Sequence, residues 1–393
     1  MQTLHLLGHC SNWNVDAYFE NSIGDGFIFT AYSHKEDFFR KKVIYGQSAP
    51  KILSHSLLDL QYYGKRESSK IGRGNLSSYS FHPASIDDGS EDQTNLYLVQ
   101  RIIDGIRFQR NLGLKRIIIP IHYEDSTISG FLGYIKEINR WLKENKENGI
   151  EYYMSLPISY VMLMNNDNVE RLLAGLVHFD MTFEGYYVAF ETRLEGLSKL
   201  NTNYRYLSNA IRILSVLKKQ KFKTILSYAN WDAILFLATT DIDYITIATY
   251  ENLRNFNIRR FLKSDSGGPS KGWYFSEVIL AMIKADNLNY IRDRVGIEAI
   301  SNRKNIFSDI ILDEKYLWVN QKPDIHKNYL LAIDRLLKSI ASFEDLMERK
   351  KFVESLIIKA QEHYQSLRRN KIVIGEIGAE GHYHDWLRVI DGF

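Results

Sequence analysis

Asp59-Leu60-Gln61-Tyr62-Tyr63 brings a carboxyl, an amide and two phenols into five residues. An Asp can act as nucleophile or base, a Gln can read an amide or a base edge, and a Tyr can stack on a ring. The competing reading is a helical turn in which Leu57, Leu58 and Leu60 pack and Asp59 faces water. A second set follows the β-branched and aromatic runs: His34, His55, His122, Glu124, Glu191, Arg193, Asn230 and Glu251. Parallel α/β folds place their sites at strand carboxyl ends, and a dry pocket there moves His and carboxyl pKa values toward neutrality. The assignment is Asp59 or Glu191 as nucleophile or general base, and His122 as proton donor. Arg193 then holds a carboxylate or an oxyanion, and His55, Gln61, Tyr62, Asn230 and Glu251 contact substrate. Polar residues also follow strands simply as caps and turns.

A third group is basic. Arg254, Arg259, Arg260 and Lys263 precede Gly267-Gly268-Pro269-Ser270-Lys271. Arg254, Arg259, Arg260 and Lys271 are the expected phosphate-binding set, because glycines let backbone N–H groups approach a phosphate and Arg donates a fork of hydrogen bonds. The competing reading is a solvated run pairing with Asp243, Glu251 or Asp265; the GxxxxGK spacing of a Walker loop is absent. His382 and His384 would point one way on a strand, but a tail with surface histidines is commoner, and no metal site is assigned. No HExxH, GxSxG or GxGxxG motif is present, and no cofactor is called for.

These residues must be positioned by repeated βα units. Strands are expected over residues 27–31, 51–54, 116–121, 152–156, 185–190, 224–228 and 244–248, with helical periodicity between most of them. Residues 3–7 give a weaker strand pattern, and an eighth strand is expected near 272–275. The pattern predicts a (β/α)8 barrel over residues 24–277, within a domain of residues 1–276. An open doubly wound sheet is the alternative. Residues 277–393 are expected to be a mainly helical C-terminal extension, suited to docking a protein partner.

The composition is that of an ordinary globular chain: 393 residues, 45% hydrophobic and 25% charged. Lys+Arg of 50 against Asp+Glu of 47 gives +3, so any basic surface that holds a phosphorylated small molecule or nucleic acid must be local. The single cysteine, Cys10, excludes an internal disulfide and a Cys-rich zinc site. No apolar run approaches the roughly 20 residues of a membrane span, and no secretory pattern opens the chain. A cytoplasmic protein without membrane contact is expected.

With a strand running into Asp59-Leu60-Gln61, alternating βα units and an Arg-rich final section, residues 24–276 resemble the tRNA-guanine transglycosylase-like barrels. The resemblance implies a barrel enzyme that exchanges a base on a nucleic acid using aspartates at strand ends. Asp59 is the nearest match to such an aspartate. The chain differs from that family in having only Cys10 and in carrying Ser54-His55-Ser56 where the family has an Asp-Ser-Gly-type turn. The expected function is glycosyl transfer or N-glycosidic hydrolysis on a nucleotide or nucleic-acid base. Two alternatives are a non-catalytic barrel serving as a binding or regulatory component, and a glycoside hydrolase using Glu124 and Glu191.

Overall fold

Eight stretches, six of them carrying several β-branched or aromatic residues and two (β1 and β3) led by leucines, become the strands of one parallel sheet: β1 Gln2–Leu7, β2 Gly26–Thr30, β3 Ser56–Asp59, β4 Arg116–Ile119, β5 Glu151–Ile158, β6 Gly185–Phe190, β7 Lys223–Leu226 and β8 Tyr244–Ile247. The computed structural model describes residues 1–63, 74–83, 95–123, 128–178, 180–194, 199–261, 272–374 and 381–393. The hydrogen-bonded order is β3-β2-β1-β8-β7-β6-β5-β4. That is the cyclic order of a (β/α)8 barrel. β3 and β4 touch without a ladder between them, so the barrel is nearly closed. Every residue of β2, β3 and β6 is buried, as expected of parallel strands covered on both faces. Gly185 opens β6 where a Cβ would come 2.0 Å from the Lys223 carbonyl oxygen, so only glycine permits that approach.

Two expected strands are corrected, the weak strand at residues 3–7 is borne out, and the barrel starts before residue 24. Residues 51–54 are not a strand. Pro50 sits in the first turn of a short helix, Ala49–Leu53, where its missing N–H costs nothing, and the strand follows at Ser56–Asp59. The weak N-terminal pattern is β1, which pairs with both β2 and β8. The expected strand near 272–275 lies outside the barrel: Trp273–Ser276 forms an antiparallel hairpin with Ala281–Lys284. The expected boundary at 276/277 therefore falls at the turn of this hairpin.

Helix Pro323–Ala341 packs against helix Asn12–Asn21, which follows β1, and against helix Ala233–Thr239, which follows β7; it also touches β1 and β8. It thus fills the eighth helix position of the ring. Thr3 Oγ1 donates to the buried Asp334 carboxylate of this helix, and Lys338 pairs with the same carboxylate at 3.1 Å. Helix Leu346–Arg369 buries Val353, Ile357, Ala360, Tyr364 and Leu367 and packs on Ala233–Thr239 and on Gly381–Asp391. Much of the apolar surface of the C-terminal helices is therefore covered by the barrel and by one another. Among the described residues no helix is long and apolar enough to cross a membrane.

Candidate functional site in the barrel mouth

Asp59 ends β3 and is buried at the carboxyl end of the barrel. The chain then turns through Gln61, whose φ is +55°, and the Gln61 N–H folds back to Asp59 Oδ1 at 2.9 Å. Tyr63 donates its hydroxyl to both carboxyl oxygens, at 3.0 and 3.1 Å. Tyr187 from the interior of β6 donates to Oδ2 at 3.0 Å, and Tyr228, just past β7, reaches Oδ2 at 3.3 Å. The Gln61 side chain ties this cage to the neighbouring loop. Its Nε2 donates to the Tyr228 hydroxyl at 2.6 Å, and its Oε1 accepts the Tyr32 N–H at 2.8 Å.

Burial pushes the Asp59 pKa up to about 6, against the opposing pull of the Gln61 N–H and the three tyrosines. The hydroxyls of Tyr63, Tyr187 and Tyr228 are themselves pushed well above the ordinary phenol value, first by burial and then by the Asp59 charge. They therefore stay protonated and act as hydrogen-bond donors to the carboxyl at any physiological pH. Asp59 itself changes charge close to neutrality.

A second carboxylate lies at the end of β6. Glu191 is buried, and its Oε2 accepts the Tyr123 hydroxyl at 2.9 Å, the Tyr160 N–H at 2.8 Å and the half-exposed Arg193 guanidinium at 3.4 Å. The segment after β8 folds back over both groups. Phe256 bridges to Glu191 along the backbone, and Thr192 donates its N–H to the Phe256 carbonyl at 2.7 Å. The Phe256 ring packs on Tyr63 at 5.0 Å, Tyr228 at 5.3 Å and Tyr123 at 6.1 Å. Phe261 adds contacts to Tyr63 at 5.7 Å and Tyr32 at 6.0 Å. Phe256 and Phe261 thus form an aromatic cover on the barrel mouth. Arg260 lies beside it, with Nη1 on the Asn252 carbonyl at 3.0 Å and its guanidinium 4.8 Å above the Tyr32 ring.

The expected site residues separate into those that meet and those that do not. Asp59 and Gln61 share the tyrosine cage, and Glu191 and Arg193 lie under the same cover. His55 does not join them. It precedes β3 at the opposite end of the barrel, exposed, with Nδ1 near the Lys51 carbonyl at 3.1 Å. Moving the strand from 51–54 to Ser56–Asp59 puts His55 at its amino end. Tyr62 and His122 are buried on the outer side of the barrel wall. Tyr62 donates to the Arg101 carbonyl at 2.9 Å, and the two rings lie 5.5 Å apart, with Tyr134 5.3 Å from His122. Tyr63 and Tyr123 face inward onto Asp59 and Glu191 where Tyr62 and His122 do not; Tyr62 and Tyr63 are parted by the turn that follows the left-handed Gln61.

Asn230 is buried beneath Tyr329, whose hydroxyl it accepts at 3.0 Å, and Glu251 pairs with Lys199 at 2.7 Å. Both are displaced from the Asp59 cage. The expected phosphate set is split: Arg254 is buried against Tyr329, Arg259 is exposed and Arg260 is at the barrel mouth. Lys271, with Glu124, Lys263, Asp265 and the Gly-rich stretch before residue 272, lies outside the described residues. His382 and His384 are on helix Gly381–Asp391, not a strand; His382 is buried against Trp386 at 4.6 Å.

Tyr187, Tyr228, Ser155, Phe256 and Phe261 were not singled out from the sequence. The available signal was the tyrosines within apolar strands, since a buried phenol needs a hydrogen-bond partner. Two cavities flank the mouth. One, of about 410 Å³, lies past β1 and β2 and is lined by His9, Cys10, Ser11, His34, Lys41 and Tyr45, with His34 2.9 Å from the Tyr45 hydroxyl. The other, of about 370 Å³, lies past β8 around Arg254. No family model matches the chain, and no curated protein matches it.

Proposed function

We propose that the protein is an enzyme acting on a nucleotide or nucleic-acid base by glycosyl transfer or N-glycosidic hydrolysis, with Asp59 as its acid–base group. The observation that carries this reading is a buried carboxyl at a strand end, pushed up to about 6, set among aromatic rings. Protonated Asp59 gives its proton to the departing base nitrogen as the bond from that nitrogen to the sugar breaks. Water, or an incoming base, forms the new bond to the sugar carbon and returns a proton to Asp59. The Glu191 carboxylate stabilises positive charge developing on the sugar, with Arg193 and Tyr123 as positioning residues. Tyr63, Tyr228 and Phe256 supply faces on which a base stacks. Entry requires the Phe256–Phe261 cover to move aside, as lids over sequestered sites do.

The test is chromatographic detection of free base released from nucleosides, nucleoside monophosphates and tRNA. The wild-type protein should release a base from one of these, and Asp59→Asn should lower turnover at least about a hundredfold while remaining folded. Full turnover by folded Asp59→Asn overturns the assignment. No release from any substrate favours the second reading, a binding or regulatory barrel whose C-terminal helices dock a protein partner. The observation behind that reading is the closed aromatic cover over two carboxylates whose hydrogen bonds are already made.

A further inference from the structure

Arg254 is only 6% exposed, yet it forms no ion pair among the described residues. Its guanidinium lies 3.8 Å from the Tyr329 ring centroid, and Nη2 donates to the Thr249 carbonyl at 2.8 Å. Nε and Nη1 have no hydrogen-bond partner among the described residues. A buried guanidinium in this state is costly, because two desolvated donors have lost water without gaining an acceptor. The Tyr329 hydroxyl lies near the guanidinium but is already engaged with Asn230 at 3.0 Å. Glu251 is engaged by Lys199 at 2.7 Å. His326 has both ring nitrogens against carbonyls, Thr249 at 2.9 Å and Asn320 at 2.7 Å, so neither is turned to Arg254.

Arg254 borders the cavity of about 370 Å³ between the end of β8, the Trp273–Lys284 hairpin and the start of helix Pro323–Ala341. Its other walls include Trp273, Met282, Ile325 and Tyr250, which suit an apolar or planar body. Two more cations sit on Trp273: Lys199 Nζ at 4.5 Å from the ring and Lys284 Nζ at 5.4 Å. Lys199 is spent on Glu251, which leaves Arg254 with Lys284 nearby as the cationic side of the cavity, and a phosphate offers these donors more oxygens than a carboxylate does.

We propose that this cavity is a binding site for a phosphate monoester, with Arg254 as its anchor and the aromatic and aliphatic wall holding the ester's organic body. The site is separate from the Asp59 cage: Arg254 and Phe256 stand on the same segment, but Phe256 faces the mouth and Arg254 the outer cavity. It does not include Arg259, which is exposed.

Calorimetric titration at low salt with inorganic phosphate, 5′-AMP, adenosine and benzoate tests it, and because the readout is binding, it is independent of any turnover at Asp59. The expected result is saturable binding of phosphate and tighter binding of 5′-AMP, with benzoate at least about tenfold weaker. Arg254→Gln should weaken 5′-AMP at least about tenfold, Arg254→Lys less, and Arg259→Ala not at all. If Arg254→Gln does not fold, Met282→Trp fills the cavity without removing the charge and should abolish 5′-AMP binding. The proposal is overturned if wild-type protein binds neither phosphate nor 5′-AMP, if a folded Arg254→Gln or Met282→Trp binds them as wild type does, or if benzoate binds as well as phosphate.

Discussion

Tyr228 and Asp59 are 169 residues apart in sequence, yet the Tyr228 hydroxyl reaches Asp59 Oδ2 at 3.3 Å while accepting the Gln61 amide at 2.6 Å. The contact requires Tyr228 to adopt φ of +52°, a conformation that non-glycine residues seldom hold. Tyr228→Phe should therefore raise the Asp59 pKa further above about 6, since a donor to the charged form is lost. It should also cost about 1–3 kcal/mol, because the Gln61 amide is left buried without an acceptor. Carboxyl-carbon NMR titration reads the first effect and urea denaturation the second.

Asp59 also makes stability depend on pH. Its folded pKa of about 6 lies above the ordinary 3.8, so the unfolded chain releases this proton first as pH rises. The stabilisation is complete below the unfolded value and is lost as pH rises through the folded one. A shift of this size corresponds to roughly 3 kcal/mol between pH 3.5 and pH 7.5. Asp59→Asn, which cannot ionise, should remove a loss of that order from the profile. Urea unfolding of both proteins across this range checks it.

The aromatic cover should carry stability as well as control access. Phe256 is 1% exposed and packs on three tyrosines, so Phe256→Ala is expected to cost about 3–5 kcal/mol. Hydrogen exchange should then accelerate across residues 251–261 before it does in the barrel strands. Unchanged exchange there would mean that Phe256 does not hold the segment down.

Asp334 fastens the eighth helix to the first strand through Thr3, and it also pairs with Lys338. Asp334→Ala takes away this acceptor, leaving the buried Thr3 hydroxyl only the longer contact to Asp25 Oδ2 at 3.2 Å, and should destabilise by about 1 kcal/mol. Thr3→Val together with Asp334→Ala should cost less than the two single changes summed. A double-mutant cycle measured by denaturation gives the coupling.

The β-branched and aromatic runs by themselves determined that parallel βα units repeat along this chain, because burial on both faces demands nearly unbroken apolar strands. They also marked Glu191, which directly follows the run 185–190, whereas Asp59 and Gln61 were marked by the chemistry of the stretch Asp59–Tyr63 and not by the expected strand at 51–54. Local pattern could not distinguish residues 51–54 from Ser56–Asp59: Pro50 is as compatible with a helix start as with a strand entry, and both segments are apolar. Nor could it reveal that Gln2–Leu7 lies between β2 and β8, because closure is a pairing between chain segments more than 230 residues apart, as in Gln2 opposite Tyr244. The side to which each residue turns was likewise decided by tertiary structure. Tyr62 and Tyr63, like His122 and Tyr123, are adjacent in sequence, but the turn after the left-handed Gln61 and packing against the surrounding helices set which member of each pair faces the barrel axis. The basic run shows the same division. Its charge was visible in the sequence, whereas the burial of Arg254 beside Tyr329, the exposure of Arg259 and the approach of Arg260 to Tyr32 follow from one short segment folding back over the barrel mouth.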